Sequence, residues 1–195
     1  RRWSTAISIE QFKRATCRND FPEFLKKDVD AKGILQVFGN GELIYRLRGV
    51  HARVTARWDF EPPRGAKDTH QAVFRGSRAQ VAIEQGPEQH YQPALYVQQT
   101  DGQSSADFEQ ALRAALSKIS QRFSGIDLKP AGSRWEVFIP EKYNVGHEAH
   151  FAEVTENFLK YLAAGKLPAW EVPNMLAKYY TTTEAFRVSH AAPHR

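Results

Sequence analysis

Apolar residues change their period along this chain. Ile9, Phe12 and Ala15 recur at helical spacing behind Ser8, a residue able to cap a helix, and Pro22 can open a second short helix over 21–26. From Ile34 the pattern turns β-like. Ile34 to Phe38 and Glu42 to Arg48 are β-rich runs, and Gly39-Asn40-Gly41 between them predicts a hairpin turn. Gly49 breaks the second run. Val50 to Phe60 then alternates most cleanly, with Val50, Val54, Ala56, Trp58 and Phe60 opposed to His51, Arg53, Thr55, Arg57 and Asp59. Glu61 to Asp68 predicts a loop, because Pro62 and Pro63 supply no ladder donors. Strands follow over 69–75, 79–84 and 94–98, and the short turns between them predict antiparallel neighbours.

Helical spacing resumes at Ser104, which with Asp107 resembles a capping box. Phe108, Leu112, Ala115, Leu116, Ile119 and Phe123 form one stripe. A strand over 134–140 places Trp135, Val137 and Ile139 on a common face. A helix over 147–164 is expected to bury Phe151, Val154, Phe158 and Leu162 and to stop at Gly165. A last helix begins near Asn174, with Leu176, Tyr179, Tyr180 and Thr183 on its inner side; residues 191–195 are expected to fray. Strands first and helices later predict an α+β fold, an open, mainly antiparallel sheet with helices packed on one face, in a single domain over 1–190. The other sheet face is left to solvent, to a second copy or to a neighbouring domain.

Composition narrows the class. The 195 residues, 42% apolar and 25% charged, are those of an ordinary globular protein long enough to build its own core. No apolar run reaches the roughly 18 residues of a membrane span, and Arg1-Arg2-Trp3-Ser4 does not open a signal peptide. Cys17 stands alone, which excludes a disulfide framework and a multi-cysteine zinc site and fits a reducing compartment, so a cytoplasmic location is expected. The 27 basic against 22 acidic residues leave +5, spread rather than clustered, so neither a nucleic-acid nor a membrane partner is expected. The only methionine is Met175, and the missing initiator suggests a piece of a longer protein.

Four features could carry chemistry. Asp68-Thr69-His70 could set a carboxylate to orient an imidazole base, although a turn-forming Asp beside a hydrogen-bonded His is commoner. Gly146-His147-Glu148-Ala149-His150 approaches the His-Glu-x-x-His zinc helix, but its histidines are three apart rather than four; with His70 they form the alternative of a metal hydrolase, and a polar first helical turn explains them without metal. Arg46, Arg48, His51, Arg53 and Arg57 could make a cationic sheet face for an acid or phosphate, or simply a solvated one. The aromatic run from Trp170 to Tyr180 has the mixed polarity of an interface helix, and core packing explains it equally. The lone Gly39-x-Gly41 is no dinucleotide fingerprint, and no P-loop, nucleophile elbow or Cys–His pair occurs. A non-catalytic interaction module docking a partner on its open sheet face is therefore an alternative to an enzyme.

Four strings occur in order: Tyr45-Arg46-Leu47-Arg48-Gly49-Val50-His51-Ala52; Asp68-Thr69-His70 with Phe74-Arg75-Gly76-Ser77-Arg78-Ala79; Val145-Gly146-His147-Glu148-Ala149-His150-Phe151; and Leu167-Pro168-Ala169-Trp170-Glu171 through Asn174-Met175-Leu176-Ala177-Lys178-Tyr179-Tyr180. From Trp3 to Ser189 the chain resembles the C-terminal domain of oxidoreductases of the glucose-fructose oxidoreductase and inositol dehydrogenase family (Gfo/Idh/MocA). That resemblance implies an N-terminal Rossmann domain, absent here, that binds NAD or NADP. It also implies a C-terminal domain that completes the pocket for a sugar or cyclitol and commonly forms the oligomer interface. The family's glycine-rich turn and its catalytic lysine belong to the first domain, so no catalytic residue is assigned. The chain alone is expected to bind no cofactor and to be inactive. Candidates to face a carbohydrate-like substrate are His51, Asp68, His70, His147, His150, Asn174 and Lys178, polar groups near strand or helix ends, where pockets form. Arg53 and Arg57 fit an assembly face better.

Overall fold

The computed structural model describes residues 1–100 and 105–191. They form an α+β fold with two antiparallel sheets and five α-helices. The chain divides into two compact units, 1–62 with 161–195, and 63–160.

In the first unit β1 (Arg2–Ile7), β2 (Leu35–Leu47) and β3 (Val50–Ala56) pair in that order. Between β1 and β2 lie α1 (Ile9–Thr16) and α2 (Glu23–Lys26). Ser8 caps α1 as expected: its side chain accepts from Gln11 N while the Gln11 side chain accepts from Ser8 N, satisfying two otherwise orphan donors. Ile7, Phe21 and Leu35 make a small buried core, extended by Ile9, Phe12, Leu25, Val29, Val37 and Phe60. The Phe12 and Phe21 rings meet at 5.0 Å.

The expected turn at Gly39-Asn40-Gly41 is not a turn. β2 runs straight through it, and the hairpin closes instead at Arg48-Gly49, flanked by the pair Leu47 and Val50. Both turn residues have positive φ, 48° and 85°, the backbone a two-residue turn needs to match strand twist. The glycines upstream serve a β-bulge. Trp3 pairs with Asn40 but Thr5 with Val37, so two steps on β1 answer three on β2. The extra residue exchanges the faces of β2. Leu35 and Val37 share a face with Ile7 and Thr5; beyond the bulge Asn40, Glu42, Ile44 and Arg46 take that face, and Leu43, Tyr45 and Leu47 the other. Gly39 also admits Trp58, whose ring carbon would lie 3.3 Å from an added Cβ.

In the second unit β4 (His70–Arg75), β5 (Ala79–Gln85), β6 (Ala94–Gln99), β7 (Asp127–Ala131) and β8 (Arg134–Phe138) form one sheet of order β4-β5-β6-β8-β7. Every neighbour is antiparallel. The strand β7 has no counterpart in the sequence pattern because Pro130 interrupts it. Its place at the sheet edge explains why a proline is tolerated. Val81, Leu95, Val97, Trp135, Val137 and Leu128 share one face, and Phe108, Leu112 and Leu116 of α3 (Ala106–Ser120) pack on it. The expected cap Ser104 lies outside the described residues; Ser105 is the N-cap and accepts from Phe108 N. In the expected stripe only Phe108, Leu112 and Leu116 are drawn to the core, while Ile119 remains exposed.

The last two helices correct the sequence reading. α4 (Gly146–Ala164) and α5 (Glu171–Ala191) lie where expected, with Gly165 at positive φ just past α4. α5 extends through Ala191, and residues 192–195 of the expected tail lie outside the described residues. Neither helix buries the face assigned to it. Phe151, Val154, Phe158 and Leu162 are 53–66% exposed, and Leu176, Tyr179 and Tyr180 are 58–71% exposed; Thr183 is exposed as well. Helical periodicity shows that a helix has an apolar side; it does not say that this chain supplies the cover.

Candidate functional site

Two concave or polar surfaces stand out, one in each unit. In the first, the start of β1, residues Glu42 to Leu47 of β2 and one side of α5 enclose a groove of about 1070 Å³. Here α5 contributes Ala177, Tyr180, Thr181, Glu184, Ala185, Val188 and Ser189. Their spacing places them on one helix side, and the apolar stripe Val172, Met175, Leu176, Tyr179 and Phe186 lies on the other, 39–65% exposed. The helix thus turns to its own unit a mixed side of Ala, Thr, Ser and Glu with Tyr180 and Val188.

Glu42 is the electrostatic centre of this groove. Its side chain is 11% exposed and its Oε2 accepts from Arg53 Nε (2.9 Å), Arg53 Nη2 (2.7 Å) and Thr55 Oγ1 (3.2 Å), with Arg1 Nε 3.3 Å from Oε1. The Arg53 donors, then Thr55 and the charge of Arg1, hold its carboxyl below the ordinary value of 4.5. A lowered carboxylate stabilises the fold fully above its unfolded value, and that contribution fades as pH falls through the folded value. Glu42→Gln should therefore make the loss of stability below about pH 4.5 shallower while leaving the pH dependence around neutrality unchanged, as read from thermal unfolding at stepped pH. Identical acid slopes for the two proteins would remove Glu42 from that account. Glu61 behaves alike for a similar reason: Gln11 and Arg14 donate to it.

The expected cationic sheet face is therefore partly neutralised. Arg46 and His51 pair across β2 and β3 on the face that carries Arg53 and Glu42, and Arg46 Nε donates to Gly49 O at 3.2 Å. Arg48 sits in the turn and Arg57 beyond the end of β3, so neither joins that face. Asn174 and Lys178 are exposed, one turn apart on α5.

In the second unit Asp68 precedes β4 and His70 opens it. Both are exposed, and Gln85 Nε2 holds the Asp68 carbonyl at 3.1 Å rather than its carboxylate. His147 and His150 lie in the exposed first turns of α4, each 3.9 Å from a glutamate, Glu148 and Glu153, and the His147 ring rests 4.7 Å from Phe151. Among the described residues no group of three or more His, Cys, Asp or Glu is placed to hold a metal ion. The candidates are thus met as local pairs on separate elements.

Sequence reasoning missed the polar face of this second sheet, opposite α3. There Arg134 of β8 donates to Glu84 of β5 through two nitrogens (2.8 and 3.0 Å) and its guanidinium lies 3.6 Å over the Tyr96 ring of β6. The bidentate bond, chiefly, raises the Arg134 pKa further. On the same face Lys129 Nζ sits 3.9 Å from the Phe138 ring centre. Glu84 and Arg134 are fifty positions apart, and only strand order brings them together.

The described residues thus form an α+β scaffold whose second sheet is clothed on one face by α3. Residues 1–190 match the family described as Putative oxidoreductase C terminal domain, and the chain belongs to it. It is also similar to a crystal structure of a putative oxidoreductase from Parabacteroides merdae ATCC 43184, with 50% identity and a TM-score of 0.92. The similarity covers 97% of this chain but 43% of that one, so this chain spans less than half of its solved relative. A comparison with curated proteins found no match.

Proposed function

We propose that this chain is the substrate-binding and assembly half of an NAD(P)-dependent oxidoreductase of the Gfo/Idh/MocA type that acts on a sugar or cyclitol. The observation that carries the reading is the asymmetry of coverage: nearly all of this chain aligns with under half of an oxidoreductase. The chain's single Gly-x-Gly, Gly39 to Gly41, does not have the setting of a dinucleotide turn. Gly39 and Gly41 lie in a bulged strand against Trp58 and the start of β1, and no helix N-terminus follows them to receive a pyrophosphate. Binding of the nicotinamide and hydride transfer are therefore assigned to the rest of the protein.

On this reading His51, Asp68, His70, His147, His150, Asn174 and Lys178 are the groups available to hold hydroxyls or relay a proton. The assembly role draws support from α4 and α5. Exposed stripes of Phe, Leu, Tyr and Val at helical spacing are too large to be left to water in a finished protein. No helix of the described residues is long and apolar enough to cross a membrane, so a lipid-spanning role does not account for them.

The test compares the full-length protein with residues 1–195 alone. The full-length protein should quench on titration with NADH or NADPH and oxidise a member of a polyol and sugar panel, and the short chain should do neither. A full-length protein that binds no dinucleotide, or a short chain that turns over, would overturn the proposal.

A further inference from the structure

The groove of the first unit has a property that a small-molecule pocket does not need: one of its walls is the edge of a strand. Consecutive residues of β2, Glu42 through Leu47, line it, so both faces of the strand contribute and the backbone itself is presented. The reason lies in the register. β1 pairs with β2 only as far as Gly41 through its residue Arg2, and Arg1 with Glu42 exchanges two further backbone bonds, Arg1 N to Glu42 O and Glu42 N to Arg1 O, both 2.9 Å. Beyond that pair, Leu43 to Leu47 is bonded to β3 alone.

Antiparallel ladders alternate, so each residue of β2 directs its N–H and C=O to one neighbour only. Glu42 directs its pair to β1, hence Ile44 and Arg46 direct theirs the same way, into the groove. Leu43, Tyr45 and Leu47 direct theirs to β3, in keeping with the tight closing pair of Leu47 and Val50. An edge of this kind is a template for another strand. The far wall has room for one: α5 faces it with Ala177, Thr181, Ala185 and Ser189, short side chains spaced one turn apart, flanked by the larger Tyr180, Glu184 and Val188. The ladder is still in register and still hydrogen-bonded at Arg1, and its direction carries the upstream chain along Leu43 to Leu47.

We propose that the groove between the β2 edge and α5 receives an extended strand, and that its occupant is the polypeptide that directly precedes Arg1 in the longer protein, lengthening β1 by about five residues, or roughly 17 Å. The proposal rests on the reading of this chain as the later part of a longer oxidoreductase. It makes the groove a joint between that part and what precedes it, not the substrate pocket.

Amide exchange in the full-length protein tests it, because β2 carries its own control. Leu43, Tyr45 and Leu47 are protected by β3 in any case, whereas Ile44 and Arg46 are protected only if a further strand is present. Slow exchange at all five positions, within about tenfold of one another and independent of protein concentration, is the expected result. Exchange at Ile44 and Arg46 about a hundredfold or more faster than at Tyr45 would overturn it. Protection of those two amides that appears only as concentration rises would also overturn it, by making a second copy the occupant. NADH titration of the same sample separates this outcome from the functional reading: an open edge with bound dinucleotide refutes the strand alone, and a protected edge without dinucleotide binding refutes the oxidoreductase alone.

Discussion

Replacing Trp135 by alanine should cost the second unit about 3–5 kcal/mol, the largest single loss expected in this protein. The indole is 8% exposed and belongs to the buried cluster with Val97, Leu128 and Val137. On β8 it lies opposite Val97 of β6 and Pro130 of β7, so it joins three strands at the place where the order turns back on itself. Above it α3 sets Phe108, Leu112 and Leu116, and the Arg113 guanidinium lies 5.3 Å from the ring centre. Few other side chains share the burden: no large residue of the described chain is fully buried, so the core is thin and a cavity at its centre has little to collapse onto it. Trp135→Phe, which retains an aromatic ring, should recover more than half of the loss. Urea unfolding followed by circular dichroism reads both variants. A Trp135→Ala loss below about 1 kcal/mol would mean that α3 does not depend on this contact.

Asn40→Leu is expected to cost about 2–3 kcal/mol, although leucine is the more hydrophobic residue. Asn40 is 6% exposed, the one buried polar side chain of the described residues. Its Nδ2 donates to Thr5 Oγ1 at 2.9 Å and its Oδ1 accepts from Trp58 N at 2.7 Å, while Thr5 Oγ1 donates to Trp58 O at 2.8 Å. Three segments are thus tied at the bulge, and removing the amide leaves the part-buried Trp58 N–H without its acceptor beside an apolar side chain. Because Asn40 and Thr5 serve each other, the losses in Asn40→Leu and Thr5→Val should not add. The double variant should be at least about 0.5 kcal/mol more stable than the sum predicts. Additivity within error, measured by the same unfolding experiment, would show that the two bonds act separately.

The sequence could be read well wherever a local rule has one solution. Ser8 ahead of Ile9, Phe12 and Ala15 admits one helix start, and β4, β5 and β6 have their expected bounds within a residue or two, because short runs of β-rich residues between turn formers leave little choice. Gly39-Asn40-Gly41 failed because two physical uses of glycine look alike along a chain. A turn needs positive φ, and a bulge or close approach needs a missing Cβ; here the second applies, and the turn falls at Arg48-Gly49. The candidate site was less legible still. The string His147-Glu148-Ala149-His150 drew notice by motif, and the structure leaves it on an exposed helical turn. Glu42, which binds several partners, carries no motif at all, and Asn40 stood in a string that reads as a turn rather than as a buried anchor.

What the linear order of residues determined by itself is most of the elements, though neither β1 nor β7, together with the antiparallel pairing of strands joined by short turns and the class of fold, since capping, turn chemistry and apolar period act within a few residues of one another. Only the tertiary structure decided that β2 changes faces at a bulge, that Arg134 reaches Glu84, that β8 enters between β6 and β7, and that α4 and α5 hold their apolar sides outward. Those outcomes depend on which distant segments meet, and a periodicity carries the demand for burial without naming the surface that answers it.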